Sequence, residues 1–251
     1  MNQGRNTFFK RAMRAVWVGV LVVLAVVVGV LLLGRMKPAS GAGGGVAASL
    51  GLARGDDASR VALVIAAPAA DGAVVAQLIA IVDSRASLST TAAIVDVDPD
   101  TKVAIPGTSF DRLRDAYAFG GGAAVVAALP KPKPKPAYVA VPQPVWTAAV
   151  DRSKGVTVTL PASLDVFDGT RLTSFAKGEQ RIQGDGIAAV LLGLANLPDA
   201  DRAAVRTQLE RGIAASLAAD AATTQAGVSS DLSRDTLTGW LNGSALKSGG
   251  R

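Results

Sequence analysis

The side chains in this chain that could do chemistry are carboxylates, guanidiniums, amines and hydroxyls, because its 251 residues include neither histidine nor cysteine. There is then no imidazole base and no thiolate, so Ser-His-Asp, Cys-His and zinc-histidine chemistries are excluded. Asp96, Asp98 and Asp100 alternate like the start of a calcium loop. An EF-hand loop needs glycine where Thr101 stands and glutamate where Gly107 stands, so these aspartates read more simply as a strand end entering the turn Asp98-Pro99-Asp100-Thr101. Gly120, Gly121 and Gly122 lack the Gly-Lys-Ser/Thr continuation of a phosphate loop and read as a helix break. Ser244-Ala245-Leu246-Lys247 has S-x-x-K spacing, but its companion motifs are missing and it falls in an expected frayed tail. Gly184-Asp185-Gly186 reads as a turn before a helix rather than a metal site. Arg112 and Arg114 flank Leu113; they are either a solvated helix face or an anion contact.

The element that decides where these groups work is the uncharged run Ala15 to Leu33. As a helix it spans roughly 28 Å, about one hydrocarbon core, so residues 15–34 are expected to form a transmembrane helix. Basic residues flank it, with Arg5, Lys10, Arg11 and Arg14 ahead and Arg35 and Lys37 behind. The positive-inside rule then puts residues 1–14 in the cytoplasm and the remainder outside the cell membrane, a single-pass topology. A cleaved signal peptide is the competing reading; its apolar core is usually shorter, and Ala39 to Ala42 offer only a weak cleavage site. Residues 35–60, with six glycines between Gly41 and Gly55, read as a flexible stalk. Residues 61–243 are then one extracytoplasmic domain, and 244–251 a disordered tail. The net charge of +6 partly belongs to the membrane flanks, so it points to anionic lipid or polymer rather than nucleic acid.

Within the domain, Val61 to Ala67 reads as a buried strand ended by Pro68, and Gly72 to Val82 as a weaker strand. Ala92 to Asp98 is a third. Phe110 to Ala118 has helical spacing, with Phe110, Leu113 and Tyr117 on one face, and Ala123 to Leu129 reads as a second helix. Pro130 to Pro136 is an extended polyproline rod carrying three lysines, either a spacer or a contact for anionic polymer. Tyr138 to Val141 resumes a strand, Val145 to Val150 is a short helix, and Val156 to Leu160 alternates as a strand. Gly186 to Leu194 fits an apolar helix or a buried strand. Asp199 to Ala222 is the clearest helix, with Val205, Leu209, Ile213 and Leu217 four residues apart. Asp231 is expected to cap a last helix carrying Leu232, Leu237, Trp240 and Leu241. The mixture predicts an α/β fold, an α-β-α layered domain around a mixed central sheet, preceded by one transmembrane helix.

From Leu88 onward the chain resembles the LytR-CpsA-Psr family of cell-envelope proteins. Four stretches carry the resemblance, in the family's order: Leu88 to Pro99, Val103 to Gly121, Val150 to Pro161 and Phe175 to Leu194. They are similar to its R-S-D-T segment with strand and Asp-Pro turn, its S-I-P-R-D-T and D-K-I-N-x-A-Y-x-x-G-G elements, its V-D-x-L-G-G-V-x-V-x-V-P, and its F-x-x-G-x-x-x-L-x-G-x-x-A-L-x-Y-x-R-x-R. The resemblance implies an apolar tunnel for a polyprenyl chain, and arginines and aspartates that hold a pyrophosphate, usually with magnesium. The implied activity is transfer of a glycopolymer from its lipid carrier to peptidoglycan. The motif's charged positions fall here on Leu88, Thr90, Gly107, Thr108, Leu192 and Leu194. Only Asp111 and Arg112 keep the charged pair of the D-K-I-N element.

The expectation is therefore a degenerate, non-catalytic member with no cofactor. Asp111, Arg112 and Arg114 are its ligand-binding residues, and no residue is assigned to catalysis or to a metal. Its partners would be the membrane, a polyprenyl phosphate lipid or anionic cell-wall polymer, and an envelope protein. One alternative is an active transferase with magnesium, using Arg112, Arg171 or Arg181. Another is a tethered adaptor that holds a protein through the Pro-Lys rod and the carboxy-terminal helices.

Overall fold

The computed structural model describes residues 57–83, 94–130 and 135–243. The expected span at 15–34, the stalk up to residue 56, Leu88 and Thr90, the middle of the Pro-Lys rod and the tail from 244 lie outside the described residues. Among the described residues no helix is long and apolar enough to cross a membrane.

In chain order the strands are β1 (Asp57–Pro68), β2 (Val74–Asp83), β3 (Ile94–Asp96), β4 (Pro136–Val141), β5 (Val156–Leu160), β6 (Leu164–Phe167), β7 (Leu172–Phe175), β8 (Gly178–Ile182) and β9 (Ser229–Ser230). The helices are α1 (Ala116–Ala128), α2 (Gln143–Arg152), α3 (Gly184–Gly193), α4 (Asp199–Ala219), α5 (Ala221–Gly227) and α6 (Arg234–Leu241). A mixed five-stranded sheet runs β3-β2-β1-β4-β9, with β1 and β4 parallel and the other pairs antiparallel. Two separate hairpin-like pairs, β5 with β8 and β6 with β7, complete the strands.

β1 shows why its run is continuously apolar. Val61, Leu63 and Ile65 bury on one face of the sheet, while Ala62 and Val64 bury on the other. A strand covered on both faces has no polar side to alternate with. The strand already begins at Asp57, so residues 57–60, expected in the stalk, belong to the sheet. Helices α2, α3, α4 and α6 cover one face, and α1 covers the other, giving the expected α-β-α layering. Trp146 of α2 is fully buried and donates Nε1 to the Ala66 carbonyl at 3.0 Å, which fixes that helix against the centre of the sheet.

Several local expectations change. Phe110, Leu113 and Tyr117 do not share one helix face: a single 3-10 turn at Leu113–Asp115 buries Leu113, while Phe110 is exposed and stacks on Phe119 with centroids 5.5 Å apart. The glycine break is present, because Gly121 sits at φ +61, outside helical space, and α1 kinks there. Asp231 does not cap α6. Ser233 does, accepting from the Thr236 amide at 3.3 Å, while Asp231 accepts from the Tyr138 amide at 2.8 Å and ties β9 to β4. The long carboxy-terminal helix ends at Ala219, where Asp220 turns to φ −123 and ψ 42. Gly184–Gly193 is helical, which resolves the alternative left open for that segment.

Candidate functional site

The parallel direction of β1 and β4 puts their carboxyl ends at the same edge of the sheet. β3, antiparallel to β2, also points its carboxyl end there, and chain reversals at this edge are where α/β proteins place ligands. Here the edge holds a cavity of about 200 Å³. Its walls come from the β1–β2 turn (Ala69, Ala70), the Pro99-Asp100 turn, Arg114, the end of α3 with its following turn (Leu191, Leu192, Leu194), and α4 (Arg202, Arg206). Three guanidiniums therefore face one opening, with Asp100 as the only carboxylate among the residues lining it.

Each arginine is held by a different device. Arg206 is 7% exposed and donates from Nη2 to Asp96 at 3.1 Å and from Nη1 to Asp98 at 3.0 Å. Arg202 donates to the carbonyls of Leu194 and Leu197, both at 3.1 Å, so it caps the turn after α3. Arg114 lies 3.2 Å from Asp100 Oδ1, the oxygen that also accepts from Arg112 at 3.1 Å. The Asp98 turn is closed by its own side chain, which accepts from the Asp100 amide at 3.1 Å. Sheet, turn and α4 are thus tied into one charged cluster.

Two features of the cluster are incomplete within the protein. The Nε donors of Arg114 and Arg206 are buried and make no hydrogen bond, although Arg114 Nε pairs with Asp115 Oδ1 at 3.7 Å. A buried N–H left without a hydrogen bond costs about 1–3 kcal/mol, which an acceptor brought within reach would recover. Behind Arg206 lies Glu210, 1% exposed, with neither carboxyl oxygen receiving a donor. Burial, followed by the charge and hydrogen bond of Asp96, pushes the Glu210 carboxyl up to about 10, against the smaller opposing pull of Arg206 and Arg211. Glu210 is therefore neutral at physiological pH. Arg112, Arg114, Arg202 and Arg206 together face Asp96, Asp98, Asp100, Asp115 and Asp199, so the cluster has no excess of positive charge and an anion could be held there only by directed donors.

Of the residues singled out from sequence, Arg114 lines the cavity. Arg112 reaches it only through Asp100, and Asp111 pairs at 3.9 Å with the exposed Lys102. Gly107 and Thr108 form a turn closed by Thr108 on the Ile105 carbonyl, and they are not among the lining residues. Arg181 binds the Ser153 and Lys154 carbonyls, and Arg171 sits in the β6–β7 turn, so neither belongs to the cavity. Leu192 and Leu194, where the resemblance places paired arginines, do line it. Arg202 and Arg206, on the next helix, line it as well, and neither was singled out from sequence. Their spacing from Glu210 on one side of α4 is the signal that sequence reading passed over.

A magnesium, implied by the resemblance, would need only one or two carboxylates beside the phosphate oxygens of a ligand. Asp100 is the carboxylate on the cavity wall that could take that place, and Arg112 and Arg114 bracket it.

No protein-family profile matches the chain, and none of the curated proteins is similar to it. Solved structures are. Protein gbs0355 from Streptococcus agalactiae aligns with a TM-score of 0.50 at 12% identity, over 73% of each chain. A LytR-Csp2A-Psr enzyme from Actinomyces oris aligns at 0.49 and 16% identity, over 73% of this chain and 74% of that one. TagT bound to LI-WTA aligns at 0.47 and 20% identity, over 75% of this chain and 74% of that one. The chain thus shares its fold with gbs0355.

Proposed function

We propose that this domain binds the phosphate or pyrophosphate of a cell-envelope glycopolymer or of its polyprenyl carrier in the arginine-lined cavity, as a binding protein without transferase activity. The observation that carries this reading is that Arg114, Arg202 and Arg206 line one cavity, with the buried Nε donors of Arg114 and Arg206 making no hydrogen bond. The envelope polymer class rests on the ordered motifs from Leu88 to Leu194. The cavity's size supports the head group as its occupant. About 200 Å³ is below the roughly 300–1,000 Å³ of ordinary small-molecule pockets, enough for a pyrophosphate but not for a polyprenyl chain. Leu191, Leu192 and Leu194 give the rim an apolar side against which the start of a lipid tail can rest.

Calorimetric titration of the full chain with inorganic pyrophosphate tests this. Binding is expected in wild type and is weakened by about tenfold in R114A and in R206K, because lysine keeps the charge and loses the guanidinium fork. Binding that neither substitution changes, or none at all, contradicts the reading.

One observation favours a second reading, an active glycopolymer transferase. The cavity unites Asp100 with three guanidiniums, and phosphoryl transfer needs cations to offset charge on the departing group. Cleavage of a lipid pyrophosphate that D100N abolishes would establish it.

A further inference from the structure

Glu210 is a buried ionisable group near the cavity that the anion reading does not use. It stands one helical turn beyond Arg206 on α4, fully buried, within hydrogen-bond reach of Asp96. Three carboxyl oxygens here have no donor: both of Glu210 and Oδ1 of Asp96. Asp96 Oδ2 meanwhile accepts from Arg206 Nη2 at 3.1 Å. Two carboxylates side by side here would repel each other in surroundings that screen charge poorly. A single proton resolves this, because a carboxylic acid is a donor where a carboxylate is not.

We propose that Glu210 is a positioning residue for the anion site: its carboxylic acid donates to Asp96 Oδ1 and so fixes the Asp96–Arg206 bridge that holds Arg206 at the cavity wall. The inference rests on the anion reading above. The charged groups around Glu210 are Asp96 from β3, Arg206 and Arg211 from its own helix, and Asp98 beyond Arg206. An ionised Glu210 would compete with Asp96 for Arg206 and draw the guanidinium back along α4. Neutral and donating, it instead polarises Asp96, whose second oxygen grips Arg206 from the sheet side. The arrangement is a chain of three contacts, acid to carboxylate to guanidinium, ending at the ligand.

The test compares E210Q, which keeps a donor, with E210L, which keeps the volume and removes it. The full chain is titrated with inorganic pyrophosphate. E210Q is expected to bind within about twofold of wild type and E210L about tenfold more weakly, the scale of a lost hydrogen bond to a charged group. E210L leaves the buried Asp96 Oδ1 without a donor and is expected to melt lower than wild type, so its binding is read at a temperature where circular dichroism shows it folded. Infrared spectra at neutral pH should contain a carboxylic-acid carbonyl band that E210Q lacks.

E210L binding as tightly as wild type, or E210Q losing as much as E210L, overturns the positioning role. If E210L does not fold, the pH profile decides: wild type should lose affinity as Glu210 ionises near about pH 10 while E210Q does not, and parallel profiles overturn the proposal. Wild type that binds no pyrophosphate sinks the anion reading and the positioning role with it, whereas the infrared band reports the proton without any ligand.

Discussion

Arg206 is a charge that the fold has paid to bury. Its two aspartates come from β3 and the following turn, so removing it strands Asp96 in the interior, and R206A is expected to lose about 3–5 kcal/mol in denaturant titrations. Glu210 gives the same region a pH signature. Unfolded, this carboxyl ionises near 4.5; folded, it keeps its proton to about 10. Between those limits the folded state holds one more proton than the unfolded chain, so this group's contribution makes stability fall as pH rises. E210Q should flatten the slope of melting temperature against pH between about pH 6 and about pH 9, and an unchanged slope would deny the buried acid. Asp168 behaves oppositely. The Thr170 hydroxyl, then the Arg171 and Thr170 amides, hold its carboxyl down at about 2, so the β6–β7 turn keeps this support above the unfolded value near 3.8 and loses it as pH falls through about 2.

At the scale of elements, α4 carries the site, and its depth against β5 sets where Arg202 and Arg206 arrive. Gly212 permits that depth: a Cβ there would stand 2.1 Å from Val156 Cγ1. G212A is therefore expected to cost about 1–3 kcal/mol, a fall of roughly 3–10 °C in melting temperature, and to weaken pyrophosphate binding by lifting α4. A wild-type melting temperature in G212A would show that the helix is not seated this closely. The helix itself was legible from the four-residue spacing of Val205, Leu209, Ile213 and Leu217, and β1 from its unbroken apolar run. Arg206 and Glu210 were not, because a charged pair four residues apart reads as a solvated face in any isolated helix. Only the arrival of Asp96 and Asp98 from a distant strand makes that face an interior one. The β6–β7 pair was equally hidden, since Phe167 and Leu172 are exposed and leave the hairpin little alternation to read.

Across the described residues, the mixed sheet gathers the carboxyl ends of β1, β3 and β4 at one edge, and three of the four motif stretches reach it, through Pro99, Arg114 and the leucines Leu191, Leu192 and Leu194. That convergence explains why aligned positions misled. Leu192 and Leu194 do occupy the cavity wall, as the family pattern places them, but charge enters from α4, beyond the motif's end. Position in the fold was readable from the motif, and the identity of the cationic residues was not. Because the neighbourhood holds at least as many carboxylates as guanidiniums, and several are exposed, pyrophosphate affinity should fall only modestly between about 0.05 M and about 0.5 M salt. A steep fall would mean that diffuse charge, and not directed donors, does the binding.

The most direct measurement is a crystal structure of the chain grown with inorganic pyrophosphate. The account predicts a phosphate in the cavity at the carboxyl end of β1, accepting from Arg114 Nε and Arg206 Nε, with Asp96 still bridged to Arg206. Pyrophosphate bound elsewhere on the surface, with neither Nε donor hydrogen-bonded, would contradict it.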